Sequence, residues 1–195
     1  MFHATPSKFI SRLRRMIPGR IARRFVRKQD GAAAIEFAFV AAPFLALTFA
    51  ILETAMVFFA GQTMEAAAAD AARLIMTGQA QTTGFSQAEF KTQVCARIYG
   101  LFDCANGMSV NVRCYDPGQP IDTSLPITDG LLDNTKIGYT PGSPGSVVVV
   151  SLYYQWPIYV TMYSLSGLSN ISGNKRLLSA TAVFRNEPFG PTGTC

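Results

Sequence analysis

The sixteen residues Phe37–Leu52, FAFVAAPFLALTFAIL, contain no charge. Joined to Ala32–Ile35 across a single acid, Glu36, they make an apolar stretch of about 21 positions, close to the ~20 that a helix needs to cross a bilayer. Backbone polar groups find no water inside hydrocarbon, so a run of this length has to be helical there. Pro43 falls in the middle. It lacks an amide donor and crowds the carbonyl of Phe39, which predicts a kink or local unwinding. The positions around Ala50, Ala55 and Ala60 form no small-x-small cleavage site near the end of the run. The segment is therefore expected to stay rather than leave as a secretory signal.

Charge is arranged around this run with a direction. The chain of 195 residues carries a formal +5. Residues 1–30 hold nine basic residues against Asp30, a net +8, while the remainder holds eight basic and eleven acidic residues, a net −3. A basic block touching an apolar run is held on the cytoplasmic side. This predicts residues 1–31 as a basic cytoplasmic leader, 32–53 as a transmembrane helix and everything later on the far side. An Arg-rich start also fits an organellar transit peptide, but that reading leaves the glycine, acid and apolar run unexplained. The pair Arg23-Arg24 lacks the flanks of a twin-arginine signal. Nucleic acid is not expected as a partner, because its sites display basic residues on a folded face or among aromatics.

Helical spacing continues beyond the apolar run. Ala60, Met64, Ala67, Ala68, Ala71, Leu74 and Ile75 recur at three- and four-residue steps, one helical face, and Gly78 is a natural stop. Asp70 can pair with Arg73 one turn on. Residues 54–77 are read as the extra-membrane continuation of the helix, with the Ala-rich face packed on the chain's own sheet. The remaining 78–195 is expected to be an exported α+β head domain. Ser86 and Glu89 form a capping-box pattern ahead of a short helix with Phe90, Val94, Ile98 and Leu101 on one side, ending near Gly100. Strands are expected at Met108–Tyr115, with Met108, Val110, Val112 and Cys114 facing one way, at Val147–Trp156, and at Leu178–Arg185. Asp116–Ser146 reads as a long loop, functional or mobile. The fold class is thus α+β: a long N-terminal transmembrane helix, a short helix and an antiparallel sheet of about three strands.

Glu36 is the position that this outline does not explain. A charge at the bilayer centre costs ~2.5–3.5 kcal/mol on insertion scales and less near the edge, where it can snorkel. Its neighbours offer more. Gly31 closes the basic block, and G-A-A-A-I-E-F follows across the expected boundary of cytoplasm and membrane. This resembles the processing site of type IV prepilins, and of the Flp-pilus branch in particular. The segments ILETAMVFFAGQTMEAAAADAARLIMTGQAQ, FSQAEFKTQVCARIYGLFDC, VVVVSLYYQWP and ATAVFRNEP are similar to the TadE-like family of tight-adherence (Tad) pilus proteins, from about Gly31 to near the C-terminus.

The resemblance implies a minor pilin or pseudopilin of a bacterial Tad (Flp, type IVb) pilus-assembly and secretion system. It implies a prepilin peptidase that cuts between Gly31 and Ala32, with Glu36 as the acid of the motif and Phe37 where the stricter pattern has Tyr. Implied partners are the inner membrane, the peptidase and other Tad pilins and assembly components. The implied location is the bacterial inner membrane, single pass, with the N-terminus cytoplasmic and the C-terminal domain periplasmic, and association with the pilus after processing. Physics gives the spacing a reason. Cleavage would expose an ammonium at Ala32, which the carboxylate of an adjacent subunit can neutralise strongly at low dielectric. The alternative is an uncleaved single-pass envelope protein whose head binds another envelope component.

Glu53 reads as a marker of the outer membrane boundary. The four cysteines all follow the apolar run, which suits an oxidising compartment. Cys95 and Cys104 are close enough for a turn to join them. Cys114 and Cys195 could pair, or either could stay a free thiol. The cysteine spacing does not resemble a zinc site. His3, the only histidine, is in the leader, so a His-dependent triad in the head is not expected. Asp116, Asp122, Asp129 and Asp133 lack the order of an EF-hand. No enzyme activity, metal or cofactor is expected.

Overall fold

The computed structural model describes residues 30–98, 100, 102–159, 167–191 and 193–195. Residues 1–29 of the expected leader, and Leu101, lie outside them. The chain divides into two units, Met1–Thr48 and Phe49–Cys195. Helix α1 spans Asp30–Met76 and passes through Pro43 without interruption. The expected unwinding there is absent.

In the first unit every described side chain of 31–40 is exposed, Ile35, Phe37, Phe39 and Val40 among them. In the second unit α1 becomes two-sided. Val57, Ala60, Met64, Ala67, Ala68, Ala71, Ala72 and Ile75 are buried in the main core, with Leu74 packed against it at partial exposure. Alanine at these steps keeps the helix surface flat, so the backbone can approach a partner layer closely while staying intrinsically helical. The expected Asp70–Arg73 ion pair does not form; the pairs among the described residues are Arg113–Asp122 and Lys136–Asp133.

The partner layer is a three-stranded antiparallel sheet in the order β1-β4-β5, with β1 Met108–Tyr115, β4 Val147–Pro157 and β5 Lys175–Arg185. Side chains alternate across it. The rows Val110–Leu152–Ala180 and Val112–Val150–Ala182 share a face; five of these residues belong to the core that includes α1, and Ala182 packs against it at partial exposure. The three expected strands are therefore present, with β5 beginning at Lys175, three residues earlier than expected. Asn174, at φ 56°, makes the turn into it.

Before the sheet come α2 Gln79–Thr83, α3 Gln87–Cys95 and α4 Cys104–Gly107. The capping box on α3 is complete. The Ser86 amide donates to Glu89 Oε2 at 2.7 Å and the Glu89 amide to Ser86 Oγ at 3.3 Å. The Ser86 amide, then its hydroxyl, hold the Glu89 carboxyl below its ordinary range. Phe90, Val94 and Ile98 are buried as one side of this segment, but the helix ends at Cys95 rather than near Gly100.

The long connection 116–146 is not a bare loop. β2 Ile127–Thr128 and β3 Leu131–Leu132 form a hairpin, followed by a 3-10 turn over Asn134–Lys136. Its two-residue tip, Asp129-Gly130, has φ of 52° and 74°, the left-handed pair that suits a tight hairpin. Ile127, Leu132 and Ile137 pack on Tyr153, Ile171 and Leu177. The connection thus covers the sheet face turned away from α1, and it also closes the β1 edge. The Val112 amide donates to the Gly138 carbonyl at 2.8 Å and the Thr140 amide to the Val112 carbonyl at 2.9 Å.

Past Met76 the chain turns at Gly78, where φ is 78° and an added Cβ would collide with the Phe189 ring. Gly78→Ala is expected to lower stability by about 2–4 kcal/mol, from left-handed backbone strain and overpacking together. Urea unfolding monitored by Trp156 fluorescence measures it. In a Phe189→Ala background the loss should shrink to the backbone share, about 1–2 kcal/mol. An equal loss in both backgrounds would mean that the ring yields freely.

Candidate functional site: an exposed apolar helix with one acid

From Gly31 to Met64 the sequence of α1 carries two charges, Glu36 and Glu53. The helix is long and apolar enough to cross a membrane, with a mean hydropathy of 2.2 over a window that is 0% buried. Phe37 is 74% exposed and Phe39 77%, an arrangement that water penalises by about 25 cal/mol for each Å² left uncovered. Such a surface calls for lipid or other helices.

Gly31, Ala32, Glu36 and Phe37 all lie on this exposed part of α1. Gly31 and Ala32 fall in the first helical turn, where the leading amides lack intrahelical acceptors. Space around Gly31 is open, with nothing within 4 Å of an added Cβ. Glu36 follows five positions later, about 7 Å along the axis.

Glu53 is half-buried and accepts a hydrogen bond from the Tyr159 backbone amide at 2.5 Å. Sequence reasoning gave this acid no partner. The donor stands 106 residues away, just past the end of β4, and no local pattern could have announced it. The contact ties the chain just past β4 to the turn of α1 where burial begins.

Two disulfides brace the head. Cys95, the last residue of α3, is bonded to Cys104, the first of α4, with Cα atoms 5.7 Å apart. Cys114 on β1 is bonded to Cys195, with Cα atoms 5.6 Å apart. The second bond fixes a C-terminal strap. Within the strap the Glu187 amide donates to the Met76 carbonyl, Ser143 Oγ donates to the Thr194 carbonyl and the Cys195 amide donates to Asp116 Oδ1. Helix α1's C-terminal end, the 141–146 turn and β1 are thereby linked.

The loop acids serve local structure. The Ser124 hydroxyl and amide, ahead of Arg113, hold Asp122 below its ordinary range. The Thr135 and Thr128 hydroxyls do the same for Asp133. Burial pushes the Tyr139 phenol up to about 12. None of these groups is paired with a nucleophile or base in a closed cleft. A shallow groove of about 440 Å³ beside β1 is lined by Gln87, Lys91, Asn106, Met108 and Asn134 among others, and its lysine is engaged by the Ala105 carbonyl. Among the described residues, no three His, Cys, Asp or Glu side chains are grouped to hold a metal.

Among the described residues, one long lipid-compatible helix followed by an α+β head suggests a single-pass membrane protein. Residues 31–73 match the family model described as TadE-like protein, the family that the segment from Ile51 to Gln81 and three later segments resemble. The match lies wholly within α1 and suggests a protein related to Tad pilus assembly. No curated protein and no solved structure matches the chain.

Proposed function

We propose that this protein is a minor pilin or pseudopilin of a Tad (Flp, type IVb) pilus-assembly and secretion machine. Its leader is removed by a prepilin peptidase between Gly31 and Ala32, and the mature subunit packs laterally through α1. Residues 1–31 face the cytoplasm, 32–53 cross the inner membrane, 54–77 continue the helix outside it, and 78–195 form the periplasmic head. The observation that carries this reading is the exposed acid Glu36, set on an uncovered apolar helix five positions after Gly31. An isolated carboxylate is poorly placed there, whereas one that meets a neighbour's new terminal ammonium has a use. Trimming supplies the cation and lateral packing supplies the proximity. The head's two disulfides accord with an oxidising compartment.

Mass spectrometry of the protein from cells with and without the peptidase tests the processing step. The expected result is a chain beginning at Ala32 only where the peptidase is present, and loss of that product in Gly31→Leu. Because nothing lies within 4 Å of a Cβ at Gly31, the substitution leaves the described packing intact, so its effect reads on cleavage. A full-length chain in both strains would favour the uncleaved envelope anchor.

A further inference from the structure

The exposed apolar surface of α1 does not end at Glu53. Beyond this residue α1 shows two different sides. Val57 and Ala60 are buried in the head's core at 5% and 0% exposure, while Met56, Phe58 and Phe59 on the other side are 46%, 69% and 55% exposed. The first exposed polar side chains after Phe59 are Gln62 and Glu65, which bond to each other at 3.4 Å. The apolar surface therefore continues for nearly two turns past the acid. Tyr159 is 79% exposed, and its amide reaches Glu53, so the chain just past β4 lies at the level of that acid.

We propose that this part of the molecule is a seat on the bilayer surface. Met56, Phe58 and Phe59 lie in the headgroup region, and the Tyr159 ring lies at the boundary between hydrocarbon and headgroups. The occupant is lipid, for a dimensional reason. A helix from Gly31 to Phe59 measures about 43 Å at 1.5 Å per residue, against a bilayer of ≈ 40–45 Å with its headgroup regions. The stretch from Ala32 to Leu52 measures about 31 Å, against the ≈ 30 Å hydrocarbon core. Glu53 and Tyr159 then fall where tyrosine side chains concentrate in membrane proteins, ring in the apolar layer and hydroxyl in the wet one. The amide of Tyr159 supplies the acid with a donor at a depth where water is scarce. The head stands on the membrane by one edge.

This inference rests on the reading that α1 spans a membrane, and the test separates the two. The full-length protein is reconstituted in phosphatidylethanolamine–phosphatidylglycerol vesicles containing bromine-labelled lipid. Single tryptophans are introduced in a Trp156→Phe background as Leu45→Trp, Phe59→Trp, Gln62→Trp and Tyr159→Trp. The unmodified chain, with Trp156 alone, gives the baseline, and thiol titration checks that both disulfides have formed. Leu45→Trp should be quenched most by deeply placed bromine. Phe59→Trp and Tyr159→Trp should lose at least half as much intensity, with shallow bromine the more effective, and Gln62→Trp should lose little. Quenching at Leu45→Trp without any at Phe59→Trp or Tyr159→Trp overturns the seat and leaves the span standing. No quenching at Leu45→Trp overturns both. A Tyr159→Trp signal that ignores bromine but shifts with protein density makes a second copy the occupant and overturns the lipid assignment.

Discussion

Replacing Cys114 and Cys195 by serine is expected to lower the stability of the head by roughly 4–5 kcal/mol, the chain-entropy value for a closed loop of this length. The residues are 81 positions apart, so without the bond the unfolded chain recovers much more freedom than it does from the Cys95–Cys104 bridge, whose separation is 9. For that shorter loop the same relation gives roughly 2–3 kcal/mol. Denaturant unfolding of the two double-serine variants, without reductant, checks the order. The strap adds contacts of its own through Glu187 and Phe189, which meet the C-terminal end of α1. Losses of equal size in the two variants would mean that these contacts hold the strap and that the longer loop's entropy is not the governing quantity.

Glu36→Gln is expected to reduce co-assembly with other pilus subunits ten-fold or more while leaving the head folded. Ten-fold corresponds to about 1.4 kcal/mol, a small part of what a charge pair gains at low dielectric. The head should be indifferent because Glu36 is exposed and lies in the unit that ends at Thr48, outside the buried core. Co-purification of a correctly trimmed Glu36→Gln subunit with its partners is the measurement. Unchanged assembly would remove the charge-pairing mechanism even if cleavage after Gly31 were confirmed. Reduced assembly together with an unprocessed leader would instead assign Glu36 to peptidase recognition.

Much of the head was legible because its elements are locally self-consistent. The alternation in MSVNVRCY matches β1 at both ends, and the β-branched run from Val147 matches β4. The Ser86–Glu89 box marks the start of α3 because both partners sit within one turn. Errors occurred where local signals were short or ambiguous. β2 and β3 are two residues each, too brief for alternation to register, although the Asp129-Gly130 dipeptide between them was a usable hairpin signal. Lys175 and Arg176 look like loop residues because they are charged. They pair with Pro157 and Trp156 near the end of the sheet, where long side chains reach solvent.

The amino-acid order alone determined that one helix is too apolar for water, that an acid interrupts it five positions after a glycine, and that an α+β head follows. Those properties depend on neighbours within a few turns of chain, where composition and periodicity act directly. Only the tertiary structure decided that Cys114 meets Cys195, that the connection 116–146 roofs the second face of the sheet, and that Glu53 receives the amide of Tyr159. These contacts join residues far apart in the chain. Their closure entropy is repaid by the packing of the whole head, which no short window of sequence contains.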